Sequence, residues 1–236
     1  MKDKPRIALC IHLYNNIDST IYFNHMSCIR KWSKDYDVVI LGRRGMQTAP
    51  AREIIVEEAL AQKCDFAFFL DGDHMMPLKT FELLLEGSDD YAMCSGLVNM
   101  KCGDYRPVYW LKNNEGEGYI TPKLSLDGRR YEVDLCAFGC TMVNLNKIQK
   151  LEKDYFRDIY ISEGRHRRSD INLCMAFREI GEKIYVDTRV LVGHMRLPSF
   201  VYPQSAPQLP SLDLLEENSR KLSDGQVGFF DDMYIR

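Results

Sequence analysis

The sequence predicts an α/β fold in which a mostly parallel, Rossmann-like central sheet is flanked by helices, and three observations carry that prediction. Short apolar, strand-prone runs alternate with helix-length amphipathic segments through the N-terminal half. One run, Phe66-Ala67-Phe68-Phe69-Leu70, is apolar at every position, as a strand covered on both faces must be. The order strand, helix, strand, helix, strand then calls for right-handed crossovers and a doubly wound half.

Arg6-Ile7-Ala8-Leu9-Cys10-Ile11 reads as the first strand, and Asp18 as the cap of a helix running to about Trp32, with Ile21, Cys28 and Ile29 facing inward. Asp37 to Leu41 is the second strand, followed by the flexible basic loop Gly42-Arg43-Arg44-Gly45. Pro50 opens a helix to about Gln62 whose Ile54, Ile55, Ala59 and Leu60 suit packing on a sheet. The third strand ends at Asp71; a helix over Pro77 to Glu86 and a strand over Tyr91 to Ser95 follow. Beyond Asn99 the pattern loosens into hairpins or loops, where Tyr105, Tyr109 and Trp110 are either an aromatic platform for a ligand or, more in keeping with such a region, core. Strand character returns from Val133 to Asn144 around Gly139. Ser169 caps a helix with Leu173, Ala176, Phe177 and Ile180 on one face and Gly181 as its stop. Two short strands over 183–186 and 190–192 lead to Gly193-His194. Pro198, Pro203, Pro207 and Pro210 mark an extended segment, and Leu212 to Leu222 a short amphipathic helix, so the expected division is one domain over 1–196 and an extended and helical tail over 197–236.

Composition narrows the classes of function. With 45% hydrophobic and 28% charged residues among 236, the chain is an ordinary globular protein of one sizeable domain. A formal net charge of −3 gives no global reason to expect a nucleic-acid partner. The first six residues are charged and the apolar run after them is broken by His12 and Asn15, so no secretory leader is expected, and no stretch has the length of a transmembrane helix. The eight cysteines are scattered without a paired zinc spacing, which points to buried free thiols and a reducing, cytoplasmic setting.

The apolar third strand ends in Asp71-Gly72-Asp73-His74. Side chains at i and i+2 of an extended segment point the same way, so both carboxylates can meet one object, and Gly72 lets that object approach the backbone. Hard carboxylate oxygens at this spacing suit Mg2+ or Mn2+, the ions that accompany diphosphates, whereas the plain alternative is a polar turn. Three further residues fall at suggestive places. Arg52 lies near the start of a helix, where a guanidinium and helix amides can meet a phosphate; Asp170 lies in the first turn of the late helix, whose dipole favours its ionised form; His194 follows the last strand as a candidate imidazole ligand. Gly164-Arg165-His166-Arg167-Arg168 is either a solvated basic loop or a lid over an anion.

In this order and spacing the residues resemble a GT-A fold glycosyltransferase, close to the family 2 type. The resemblance rests on Ala51-Arg52-Glu53, Phe68-Phe69-Leu70-Asp71-Gly72-Asp73, Ser169-Asp170-Ile171-Asn172-Leu173-Cys174 through Gly181, Ile184-Tyr185-Val186-Asp187 and Val192-Gly193-His194; it runs from about Arg6 to His194 and leaves the tail unmatched. It implies a nucleotide-sugar-binding half over 1–98, an acceptor half over 99–196, a UDP- or GDP-linked sugar donor, a glycan or other hydroxyl acceptor, and Mn2+ or Mg2+. Carried over, Asp73 would coordinate the metal, Asp71 would contact the ribose or reach the metal through water, and His194 would complete the metal site. Asp170 would be the acceptor's general base in an inverting enzyme. His12, Tyr14 and Asn15 would lie under the base and ribose, Arg52 near the base or phosphates, and Gly139 with Cys140 at the glycine turn beside the acceptor. Two departures stand out: His12-Leu13-Tyr14-Asn15 replaces the usual Pro-x-Tyr-Asn, and Ser169 replaces the acid that commonly precedes the catalytic Asp. A nucleotidyltransferase, the competing class, would carry a Gly-rich basic loop after the first strand, and Cys10 to Asn15 contains no glycine. A non-catalytic nucleotide-binding module of the same fold would bind nucleotide without transferring sugar.

Overall fold

The computed structural model describes residues 4–13, 16–101, 103–116, 118–162, 165–196 and 199–201. β1 (Arg6–Leu13), α1 (Ser19–Asp35), β2 (Asp37–Arg44), α2 (Thr48–Ala61) and β3 (Phe66–Asp71) follow in the expected order. Asp18 caps α1, its carboxylate accepting from the Thr20 N–H at 2.7 Å. α2 starts at Thr48, ahead of Pro50, which sits in the first turn where a missing N–H costs nothing.

The remaining elements are β4 (His74–Met75), α3 (Thr80–Leu85), β5 (Met93–Val98), β6 (Tyr109–Lys112), β7 (Tyr119–Ile120), β8 (Arg130–Val133), β9 (Leu135–Cys136), β10 (Cys140–Asn144), α4 (Leu145–Ile148), β11 (Ile159–Ser162), β12 (Arg165–Arg167), α5 (Ser169–Glu179), β13 (Ile184–Arg196) and β14 (Ser199–Val201). Several differ from expectation. The helix expected from Pro77 shrinks to α3, because the Pro77 carbonyl is taken by the Thr80 N–H and hydroxyl in a tight turn. Ser169 is the first helical residue of α5 rather than its cap, and its N–H is satisfied by the Asp158 carboxylate at 2.8 Å. On α5 the buried face is Ile171, Leu173, Cys174 and Phe177, while Ile180, at the helix end, is 45% exposed. The two short strands before His194 are one, β13, with a bulge between Asp187 and Leu191. The basic run expected as a loop takes part in the β11–β12 hairpin. From the tail, β14 turns back to pair with β13; the amphipathic segment over 212–222 lies outside the described residues.

The main sheet has the order β14-β13-β5-β10-β3-β1-β2, with β4 and β8 also pairing β13. β2, β1, β3, β5 and β13 run one way, and β10 and β14 oppose them. Ile7, Leu9, Phe68 and Leu70 pack with α1 and α3 on one face, where Trp32 and Phe81 stack at 3.9 Å. Ala8, Cys10, Ala67 and Phe69 pack with α2 and α5 on the other. Each fully buried large side chain contributes roughly 1.5–3 kcal/mol, which is why the all-apolar β3 occupies an interior position. Tyr105, Tyr109 and Trp110 are 3%, 0% and 4% exposed, so they are core and not a platform. The seven described cysteines are free and buried. Among the described residues no helix is long and apolar enough to cross a membrane.

Candidate active site

The parallel strands deliver their carboxyl ends to one side of the sheet, the position at which doubly wound sheets bind ligands. His12 and Asp71 are register partners at the ends of β1 and β3. Because β10 runs against β3, the residue just before it, Gly139, comes alongside, and the Asp71 N–H donates to the Gly139 carbonyl at 3.0 Å. Buried hydroxyls of Ser95 and Thr141 donate to the Ala137 carbonyl and so fix the turn that presents Gly139.

Past β3 the chain is held from both sides. β4 pairs the end of β13, setting His74 directly opposite His194, and the Met195 N–H donates to the Asp73 carbonyl at 2.8 Å. From α1, Asn24 exchanges two hydrogen bonds with the Met76 backbone, His25 meets the His74 carbonyl at 2.9 Å, and the Trp32 indole donates to the Leu78 carbonyl. Burial keeps the His25 imidazole below its usual pKa, hence neutral, with one N–H to give.

The result is a cluster of Asp73, His74 and His194 whose ligand atoms lie within 4.8 Å of one another. The two imidazoles stack, centroids 4.4 Å apart. His194 Nε2 is 3.3 Å from Asp73 Oδ2, His74 Nδ1 is 3.1 Å from Asp73 Oδ1, and the Lys101 ammonium donates to Oδ2 at 2.6 Å. His194 Nδ1 faces the Asn99 carbonyl at 2.9 Å, which orients its ring and turns Nε2 toward Asp73. Burial alone would raise the Asp73 carboxyl; the close His194 and His74 imidazoles and the Lys101 ammonium reverse that and hold it far below the usual carboxylate range.

Asp71 is directed elsewhere. Its carboxylate lies 3.7 Å from the Arg52 guanidinium, which is 6% exposed, stacks over Phe138 at 4.7 Å and donates to the Ser169 hydroxyl at 3.3 Å. Arg52 therefore ties the end of β3 to the start of α5. The neighbouring residue on α5 is Asp170, half-buried, its own carboxylate accepting from the Ile171 N–H at 3.0 Å. Burial raises the Asp170 pKa, and Arg52 only partly offsets it. The helix dipole favours the ionised form of Asp170, but desolvation acts against it and the net shift is upward.

Other sequence-derived candidates are placed as follows. His12 spends one ring nitrogen on the Met46 carbonyl at 2.9 Å, clipping the end of β1 to the β2–α2 loop. At Gly72 a Cβ would fall 2.4 Å from the Leu13 side chain, so this glycine makes room for a neighbouring leucine. Cys140 is 1% exposed and belongs to the core beside Met142, whereas Gly139 faces His74 and Asp71. Tyr14 and Asn15 lie outside the described residues. The sequence reading missed His74 and Lys101. His74 adjoins Asp73 and was visible, but only the pairing of a two-residue strand with β13 turns its ring toward His194.

The donor set fits a divalent cation on three counts. His74 Nδ1 is buried without a hydrogen-bond partner despite the nearby carboxylate. A Cβ at Gly139 would strike the His74 ring at 2.4 Å and Asp71 Oδ2 at 2.8 Å, so glycine keeps the cradle open. Two imidazoles and one carboxylate are ordinary ligands of divalent ions.

No family model and no curated protein matches the chain. Among solved structures it is similar to A197 from STIV, with 18% sequence identity and a TM-score of 0.56 over 81% of this chain and 86% of that one. At that identity the likeness concerns the fold, which is a mixed α/β architecture compatible with a Rossmann-like sheet. Apo-UDP-glucose pyrophosphorylase aligns over 92% of this chain and 82% of its own at 9% identity, but with a TM-score of 0.40 that carries no argument.

Proposed function

We propose that the chain is a metal-dependent glycosyltransferase of the GT-A type, moving a sugar from a UDP- or GDP-linked donor to an acceptor hydroxyl. The observation that supports it best is the meeting, at the carboxyl ends of the parallel strands, of the Asp73, His74 and His194 cluster with two further carboxylates, Asp71 and Asp170, bracketed by one buried guanidinium. Asp73 and His194 would hold Mn2+ or Mg2+, and Asp71 would face the nucleotide ribose. A divalent ion bound there supplies Lewis-acid neutralisation of charge on the leaving diphosphate.

The chain's own residues would do the rest. Arg52 holds Asp71 and the N-terminus of α5 in fixed relation, which sets the distance between the donor side and Asp170. Asp170 would take the proton of the acceptor hydroxyl as its oxygen bonds to the anomeric carbon and the bond from that carbon to the nucleoside diphosphate breaks. A raised pKa makes this carboxylate a stronger base than a solvated one.

The direct test is isothermal titration of UDP and GDP, each with and without Mn2+, on the wild-type chain, Asp73→Ala and Asp170→Asn. The expected pattern is metal-dependent binding of one nucleotide, its loss in Asp73→Ala, and its retention in Asp170→Asn together with a ~10²–10⁴-fold loss of sugar transfer. Equal loss of binding in both variants would refute the division of roles.

A further inference from the structure

Asp73 and His194 alone would make a two-ligand site dominated by oxygen once waters and phosphates join them. The structure adds a third group. His74 is 4% exposed, its Nδ1 has no hydrogen-bond partner although it lies 3.1 Å from Asp73 Oδ1, and the residue belongs to the cluster whose ligand atoms lie within 4.8 Å of one another. An unpartnered ring nitrogen in a buried site is unfavourable unless a donor or a metal ion takes up its lone pair. The fold secures this placement at several points: β4 pairs β13, His25 meets the His74 carbonyl, and the absence of a Cβ at Gly139 leaves room for the ring.

We infer that His74 is a third metal ligand, and that Asp73, His74 and His194 form a nitrogen-rich site for a first-row transition ion such as Mn2+, Co2+ or Zn2+ in preference to Mg2+. This deepens the metal half of the proposed function and does not depend on which nucleotide or sugar is used. Imidazole nitrogen is a poor ligand for Mg2+, which keeps its waters and favours oxygen, whereas transition ions gain from each nitrogen. The Lys101 ammonium, 2.6 Å from Asp73 Oδ2, marks the cation-favouring position and is the group an ion would displace. Its side chain is 49% exposed, so it can swing away.

The test uses metal alone, without nucleotide, so that its failure is separable from failure of the transferase reading. Binding of Co2+, Zn2+ and Mg2+ is titrated on the full chain and on His74→Ala, with folding of the variant checked by its thermal unfolding in chelator. The expected result is a loss of at least about tenfold in Co2+ and Zn2+ affinity in His74→Ala, accompanied by a changed Co2+ visible spectrum, and little change for Mg2+. Should the variant fail to fold, pulsed electron paramagnetic resonance on the Mn2+-loaded wild-type chain counts the ligated imidazoles. Two coupled nitrogens support the inference. One coupled nitrogen, or wild-type Co2+ affinity and spectrum in a folded His74→Ala, overturns it, while loss of nucleotide binding with the metal site intact would count only against the transferase reading.

Discussion

Two carboxylates anchored on or beside β13 are both surrounded by cationic groups, yet they are held in different ways. Asp187, at the bulge, has a fully buried side chain and accepts from Arg130 Nε at 2.9 Å, from the Arg189 guanidinium at 2.7 Å and from the Arg189 N–H at 2.9 Å. The guanidinium groups are committed in turn: Arg130 donates to the Leu83 and Glu86 carbonyls, and Arg189 pairs with Glu86 at 2.7 Å. Asp73 is 34% exposed, and its partners are an exposed lysine and two imidazoles, one with an orphaned nitrogen. The first arrangement is closed, its bonding capacity used within the fold. The second is open, because its strongest partner can leave and one of its neighbours lacks a bond. A closed network fixes where β13 runs; an open one at the far end of the same strand is available to a ligand.

The largest effect that separates the two concerns Asp187. Asp187→Ala leaves Arg130 and Arg189 without their shared counter-charge in a buried setting, and the expected loss is about 3–5 kcal/mol of stability. Denaturant unfolding measures it, and nucleotide titration of the molecules that remain folded should give wild-type affinity. Full stability in this variant would break the comparison, since Asp187 would then be no more structural than Asp73.

A smaller effect sharpens the open side. Replacing Lys101 with Met removes the resident ammonium from Asp73, so an incoming divalent cation no longer competes with it, and its affinity should rise by a factor of about two to five. Metal titration at low ionic strength measures the change, because salt screens exposed pairs. Weakened binding would mean that Lys101 helps to hold the bound ion's partners instead of standing in its place.

The contrast also explains what could be read from the sequence. The N-terminal half was legible because local patterns decide it: Asp18 caps α1, and Phe66 to Leu70 can lie only where both faces are covered. Asp71, Asp73, Asp170 and His194 were legible as candidates because their places at strand ends and a helix start follow from the same patterns. What escaped depends on contacts between distant segments. The ring of His74 is set by pairing with residues more than a hundred positions away, Asp158 rather than Ser169 satisfies the start of α5, and the Asp170 environment is the work of burial, which a single-helix dipole argument omits. The aromatic residues of the second half were ambiguous for the same reason, since Tyr109 and Trp110 reach the core only once β6 pairs β9.

The smallest predicted effect comes from the opposite pKa directions of Asp187 and Asp170. Burial would raise Asp187, but its bonds to Arg189 and Arg130 prevail and lower it. Its ionised form therefore stabilises the fold above the unfolded value near pH 4, and that stability is lost as the pH falls below about 4 toward the folded value. Asp170 is raised by burial, so the folded state holds its proton longer than the unfolded chain does. Its contribution is fully present below about pH 4 and is lost as the pH rises through the raised folded value. Urea unfolding between pH 3 and 7 should accordingly show a shallower acid limb in Asp187→Asn and a smaller decline above pH 4 in Asp170→Asn, each tenfold difference in proton affinity being worth about 1.4 kcal/mol. If Asp170→Asn instead followed the wild-type profile above pH 4, its carboxyl would not be displaced upward, and the case for it as a strengthened base would fall with that result, leaving the metal cluster untouched.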